Sequence, residues 1–161
     1  MHSRISASAC AIIARHMTRI PAEEAMFAGL IHDLGAFYML YRAAQYDELR
    51  HRPDTVKYLI MQWHESIGAS LLNALELPES VVEAVADHDV PRPCPVKPRN
   101  LREVVYLGNM LAGGAFEWQH QDIRQETIDR HSPIPAYLAL QEEIQAHANS
   151  LASVLIAAQP G

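Results

Sequence analysis

The sequence contains few of the features that mark secreted, membrane-spanning or nucleic-acid-binding proteins. Cys10 and Cys94 are its only cysteines, too few for a disulfide framework and without partners at metal-binding spacing. No apolar run approaches the roughly 20 residues that cross a bilayer, and the N-terminus lacks the long apolar centre of a signal peptide. Thirteen basic against nineteen acidic residues give a net charge of −6 and no basic footprint for nucleic acid. These absences predict a cytoplasmic protein that binds neither membranes nor nucleic acids.

Strand signals are absent as well. Alternating runs of β-branched residues and Asn-Gly or Asp-Gly hairpin turns do not occur, whereas helical periodicity recurs along the chain. Helices are predicted over residues 3–17, 21–31, 37–44, 55–75, 78–86, from Leu101 to the Gly113-Gly114 pair, and over residues 135–158. The 37–44 segment either continues the preceding helix or follows a kink at Gly35. The pattern predicts an all-α protein, an irregular bundle of six or seven helices.

The chain is long enough for one domain with a real core, because 49% of its 161 residues are hydrophobic. Residues 1–114 are predicted to form that core, and Asn100 is expected to cap its last helix. Residues 115–134 read as a polar connector. The final segment, residues 135–161, contains an amphipathic helix that either packs on the same domain or forms a dimer.

Nine histidines are the most distinctive part of the composition. His32 and Asp33 are adjacent at the end of an apolar helical run, where both side chains can turn inward and bind one cation, and a carboxylate can also bridge two metals. Three further histidines lie at ends or packing faces of three other predicted helices: His2, His64 and His88. A helical bundle can bring such residues to one point. The alternative is a capping aspartate beside scattered surface and core histidines.

Four segments carry a family resemblance. EEAMFAGLIHDLG, residues 23–35, resembles the signature of the HD superfamily. WHESIGASLLNALELPESVVEAVADHD, residues 63–89, resembles the sequence that follows in the HDOD branch. HSRISASACAIIARHM (2–17) is similar to that branch's preceding helix, and VVYLGNMLA (104–112) to the helix that closes the site. Over about residues 1–114 the chain therefore resembles an HDOD domain, which implies an HD-domain-like bundle.

The resemblance also implies descent from metal-dependent phosphohydrolases, which include the HD-GYP cyclic-dinucleotide phosphodiesterases. Carried over position by position, it implies that one or two divalent metals (iron, manganese, zinc or magnesium) are bound by His2, His32, Asp33, His64 and His88. Asn109 stands at a further ligand position. Asp33 takes the bridging role, and it would be the catalytic residue if the chain is an enzyme.

Three departures from the catalytic relatives argue against turnover. Asn109 replaces an aspartate ligand, and a neutral amide oxygen is a poorer ligand for a hard cation. Asp87 replaces the first of two consecutive histidines, so it is either a substitute oxygen ligand or a solvated acid. Ala36 replaces a lysine that could meet a phosphate, and the GYP motif is absent. The leading prediction is a non-catalytic module of bacterial signal transduction with a degenerate metal site. The alternatives are a phosphohydrolase acting on a nucleotide or cyclic dinucleotide, and a structural remnant without metal.

HDOD domains usually carry a further helical half before the segment matched here. The resemblance therefore predicts apolar surface that a signalling partner, the domain's own N-terminal half or a second copy in a homodimer would cover. It also implies a nucleotide as a candidate ligand.

Overall fold

In the computed structural model, which describes residues 1–113 and 135–157, every regular element is a helix. In chain order the helices are α1 (His2–Met17), α2 (Ala22–Ile31), α3 (Leu34–Ala43), α4 (Asp47–Arg50), α5 (Pro53–Ala74), α6 (Glu79–Ala86), α7 (Leu101–Leu111), α8 (Pro135–Leu138) and α9 (Gln141–Ala157). Seven of these described helices have eight residues or more, so the predicted irregular all-α bundle is confirmed. The predicted connector, residues 115–134, lies outside the described residues. No described helix is both long enough and apolar enough to cross a membrane.

Helix α1 runs through the middle of the bundle, and its residues 6–14 are all buried. These residues are mostly alanine, serine and cysteine, whose small side chains let neighbouring helices approach closely. Helices α2, α7 and α9 all pack against α1. Ile144 of α9 packs with Ala9 and Ile12 of α1, so the C-terminal helix contacts α1 directly.

The boundary between α2 and α3 falls at His32 and Asp33 rather than at Gly35. The Nδ1–H of His32 donates to the carbonyl of Gly29, 2.8 Å away, and Asp33 leaves the helical region at φ −91° and ψ 13°. Gly35 lies inside α3, where the backbone of α5 approaches too closely for a side chain. The helix break therefore lies at the His-Asp pair itself and turns both side chains inward.

Other boundaries differ by a few residues. Helix α5 begins at Pro53, two residues before its predicted start at residue 55, because proline fits the first turn of a helix. Pro78 caps α6 instead of occupying its first position. The predicted last helix is interrupted at residues 139–140. Before the break, the hydroxyl of Tyr137 donates a hydrogen bond to the carbonyl of Pro95. After the break, α9 packs on α1, so the two parts contact different regions of the bundle.

The predicted cap of α7 is confirmed. The side chain of Asn100 accepts a hydrogen bond from the backbone N–H of Glu103 at 2.9 Å. The Glu103 carboxylate in turn accepts from the backbone N–H of Arg99 at 2.7 Å. This reciprocal pair satisfies N–H groups at the start of the helix that carries Asn109.

Gly108 marks the close crossing of α1 and α7, which leads to a first prediction. A Cβ at position 108 would lie 2.3 Å from the buried Sγ of Cys10, so Gly108→Ala should destabilise the protein by about 2 kcal/mol. Burial raises the pKa of the Cys10 thiol to about 12, so a neutral, packed group causes the clash. Cys10→Ala removes that sulfur, and the double variant should be more stable than the sum of the single effects by at least about 1 kcal/mol. Urea unfolding of the four proteins measures this coupling. Additive effects would contradict the clash.

Candidate metal centre

Six helices or their ends bring the predicted ligands together. His2 begins α1, His64 lies on α5 and Asn109 on α7. His32 and Asp33 occupy the break between α2 and α3, and His88 follows α6. All of them are buried except His2, whose side chain is 20% exposed. We call these six residues the candidate centre: His2, His32, Asp33, His64, His88 and Asn109.

Three buried imidazoles of the candidate centre are oriented by the backbone. Each donates its Nδ1–H to a carbonyl three or four residues earlier, in every case at 2.8 Å: His32 to Gly29, His64 to Ile60 and His88 to Val85. This bond fixes the ring and leaves Nε2 to face the interior of the bundle. Metal-binding histidines are commonly held by such a hydrogen bond from the second ring nitrogen.

Asp33 lies between the imidazoles, and its two oxygens face different partners. Its Oδ2 is 3.2 Å from His32 Nε2 and 3.8 Å from His2 Nε2, whereas Oδ1 is 3.3 Å from His88 Nε2. Two groups of ligand atoms, each within 4.8 Å of one another, share this carboxylate. One is His2, His32 and Asp33, and the other is Asp33, His64 and His88. The geometry suits a carboxylate that bridges two cation positions.

The distances fit a metal ion without large rearrangement. Two ligands at about 2.1 Å from an octahedral ion lie roughly 3.0 Å apart when adjacent and 4.2 Å apart when opposite. The separations from Asp33 to His32, His88 and His2, between 3.2 and 3.8 Å, fall inside that range. His88 Nε2 is buried and has no aligned hydrogen-bond partner among the described residues. A cation between these atoms would satisfy that nitrogen.

The charges of the candidate centre also attract a cation. Burial by itself would raise the pKa of Asp33, but His32 and His88 hold that pKa well below its ordinary value. Burial by itself would lower the pKa of His88, whereas Asp33 and Asp89 raise it to about 9. The carboxylate therefore stays charged, and its neighbours favour positive charge on the imidazole. A bound metal ion would supply that positive charge in place of a proton.

Asp87 does not serve the candidate centre. Its carboxylate accepts from Arg102 Nε at 2.9 Å and lies 3.0 Å from a terminal nitrogen of Arg92. The sequence left two alternatives for Asp87, a substitute oxygen ligand or a solvated acid. The observed ion pairs with two arginines correspond to neither. Asp87 is an ion-paired residue that ties the end of α6 to α7.

Asp89 belongs to the site although the sequence did not single it out. It is only 2% exposed, its Oδ1 accepts from Asn109 Nδ2 at 2.8 Å, and its Oδ2 lies 3.6 Å from His64 Nε2. Glu65 holds it in place, because Glu65 Oε1 accepts from the Asp89 backbone N–H at 2.8 Å. The available signal was its adjacency to His88 at a helix end, the same feature that drew attention to the His32-Asp33 pair.

One small cavity opens beside the candidate centre. It measures about 210 Å³ and is lined by Met1, His2, Ser3, Asp33, Ala36, Phe37 and Leu40. We call it the entrance cavity. Phe37 and Leu40 are largely exposed, so the cavity connects Asp33 with the outer face of α3. Neither lysine nor arginine lines it among the residues that the structure describes.

Comparison with known proteins gives one match. The family model of the HDOD domain matches residues 1–91, a span that includes every charged or imidazole member of the candidate centre. No curated protein and no solved structure matches the chain. The match covers more than half of the sequence and ends before α7. The chain belongs to the HDOD family.

Proposed function

We propose that this chain is a cytoplasmic regulatory module of bacterial signal transduction whose candidate centre holds a divalent metal without hydrolysing a phosphoester. The entrance cavity carries this proposal. A phosphoester must bring at least one negative charge to the metal, and hydrolytic sites often place cationic side chains where that charge develops. Among the described residues, neither lysine nor arginine lines the entrance cavity beside Asp33, and its polar donors are the side chains of His2 and Ser3.

The metal would be held by the imidazoles of His2, His32, His64 and His88 and by the bridging carboxylate of Asp33. When bound, a divalent ion supplies Lewis acidity and an anchor for an oxygen ligand. The protein's own residues contribute the rest. The backbone carbonyls hold the rings in one orientation, and burial of His32, His64 and His88 excludes water from behind them. The centre would then act as a structural clamp joining α1, α3, α5 and the end of α6, with a protein partner receiving the signal.

A metal-dependent phosphohydrolase acting on a nucleotide or cyclic dinucleotide is the second candidate. One observation favours it, since two groups of ligand atoms share Asp33, and a bridged pair of cations is an arrangement that activates water for attack at phosphorus. Asn109 opposes it, and so does the lack of lysine and arginine in the described lining of the entrance cavity.

Metal content and turnover, measured on the same preparation, test the proposal. We expect elemental analysis of the purified chain, after incubation with Mn²⁺ or Fe²⁺ and desalting, to give at least one metal per chain. With excess Mn²⁺ or Fe²⁺, hydrolysis of bis-p-nitrophenyl phosphate and of a cyclic dinucleotide should not exceed that of Asp33→Ala. Circular dichroism checks that the variant is folded, and Asp33→Asn replaces it if it is not.

Turnover by the parent chain that disappears in the Asp33 variant would overturn the regulatory proposal in favour of the phosphohydrolase. A parent chain that retains no metal would overturn the metal centre and leave a structural remnant.

A further inference from the structure

Asp89 and Asn109 form a buried hydrogen-bonded pair at the edge of the candidate centre. We infer that Asp89 is itself a metal ligand, on the side of the centre formed by His64, and supplies the carboxylate that position 109 lacks. This inference rests on the proposed metal centre and adds a residue to it.

The position of Asp89 relative to His64 is that of two ligands on one cation. Asp89 Oδ2 lies 3.6 Å from His64 Nε2, within the range of roughly 3.0 to 4.2 Å expected for two atoms bound to the same octahedral ion. The two side chains are 2% and 1% exposed, so water does not screen the carboxylate. No lysine or arginine pairs with Asp89 among the described residues. Its basic neighbour is the imidazole of His64, and a cation bound between the two side chains would neutralise the carboxylate, which is otherwise costly to bury.

The amide of Asn109, on α7, makes a contact with Asp89 that an acid at this position could not make. Its Nδ2 donates to Asp89 Oδ1 at 2.8 Å, and its Oδ1 lies 2.9 Å from His2 Nε2. A carboxylate at position 109 could not donate and would place two buried negative charges next to each other. With asparagine, one Asp89 oxygen is fixed and the other is left to face His64.

The backbone of Asp89 is positioned separately from its side chain. Glu65 follows His64 on α5 and accepts the backbone N–H of Asp89 at 2.8 Å. Burial raises the pKa of Glu65, although the hydrogen bond from Asp89 and the nearby imidazoles oppose that rise. The turn after α6 is thus tied to α5 beside the ring that would share the cation. Asp89 lies outside the group of Asp33, His64 and His88 whose ligand atoms are all within 4.8 Å of one another, and it would extend that group from the side of His64. Together these residues offer two nitrogens and two carboxylates, which are ligands suited to Mn²⁺ or Fe²⁺.

Three single variants of the full chain test the inference by Mn²⁺ titration under anaerobic, chelator-buffered conditions. Asp89→Asn keeps the shape and removes the charge, and we expect the dissociation constant of one bound Mn²⁺ to rise at least 30-fold. Asp87→Asn is the matched control two residues away, and it should leave the constant within twofold of the parent. Asn109→Ala removes the hydrogen bond and keeps the Asp89 carboxylate, so its effect should stay below tenfold.

The absorption spectrum of the Co²⁺-loaded protein separates a ligand from a positioning residue. We expect Asp89→Asn to change the intensity and position of the d–d bands, whereas Asn109→Ala should shift them little. Parent-like Mn²⁺ affinity in Asp89→Asn, or a Co²⁺ spectrum identical to that of the parent, would overturn the inference while leaving the metal centre in place. Absence of metal from the parent chain would instead reject the centre itself.

The exchange variant Asp89→Asn/Asn109→Asp keeps the hydrogen-bonded pair with its polarity reversed. It should recover part of the affinity lost in Asp89→Asn, because a carboxylate again faces the centre. Unfolding curves for all variants confirm that losses of metal do not come from a loss of fold. Failure to recover any affinity in a folded exchange variant would show that the pair is structural.

Discussion

Replacing Gly35 with alanine should cost more than about 3 kcal/mol of unfolding free energy. A Cβ at position 35 would lie 1.9 Å from the carbonyl oxygen of His64 and 2.6 Å from the backbone nitrogen of Gly68. Both atoms belong to the backbone of α5, which cannot rotate away as a side chain can. Helices α3 and α5 would have to separate, and Gly35 is only two residues from Asp33.

Gly68, which faces Gly35 from α5, provides the control. A Cβ at position 68 would meet Val85 Cγ1 at 3.2 Å and the Gly35 nitrogen at 3.5 Å, so Gly68→Ala should cost no more than about 1 kcal/mol. Both variants exchange a buried helical glycine for alanine, and the intrinsic helix propensity favours alanine equally in each. Guanidinium unfolding measures the difference. Similar stabilities for the two variants would contradict the close crossing of α3 and α5 at Gly35.

Elements that depend on neighbouring residues were predictable from the sequence. The apolar period of α5 and the cap at Asn100 follow from local rules of spacing and backbone geometry. The candidate centre was predictable only in part. Spacing placed the histidines at helix ends or on packing faces, but the resemblance to HDOD domains was needed to group His2 with His64 and His88.

The features that could not be predicted from the sequence depend on contacts between residues far apart in the chain. Asp87 and Asp89 flank His88 and are the same residue type, yet one pairs with Arg102 on α7 and the other faces His64 on α5. The end of α6 directs them to opposite sides, because Asp87 adopts φ −150° and ψ 29°. Local pattern cannot supply that turn. Likewise, the sequence predicted either a continuous helix or a kink at Gly35. In the structure Gly35 lies inside α3, and its lack of a side chain allows the close crossing with α5.

Metal removal is the second change with a large expected effect. A ligand that binds only the folded state stabilises it by RT ln(1 + [L]/Kd), about 4 kcal/mol at a thousand times Kd. The candidate centre exists only when α1, α3, α5 and the end of α6 are assembled, so an unfolded chain offers no comparable site. For a chain of this length each kcal/mol moves the melting temperature by roughly 2–4 °C. We therefore expect saturating Mn²⁺ to raise the melting temperature by about 8–16 °C over the EDTA-treated protein.

The centre must also be the source of that stabilisation. Asp33→Asn should lose most of the shift, because the bridging carboxylate touches both groups of ligand atoms. Asp87→Asn should keep the shift, since Asp87 is paired with arginines outside the centre. For Asp87→Asn, the melting temperature with Mn²⁺ is compared with that of the same variant treated with EDTA. This comparison removes any effect of the lost ion pair. Equal melting temperatures with Mn²⁺ and with EDTA would contradict a metal that joins the helices, and an undiminished shift in Asp33→Asn would place the binding elsewhere on the chain.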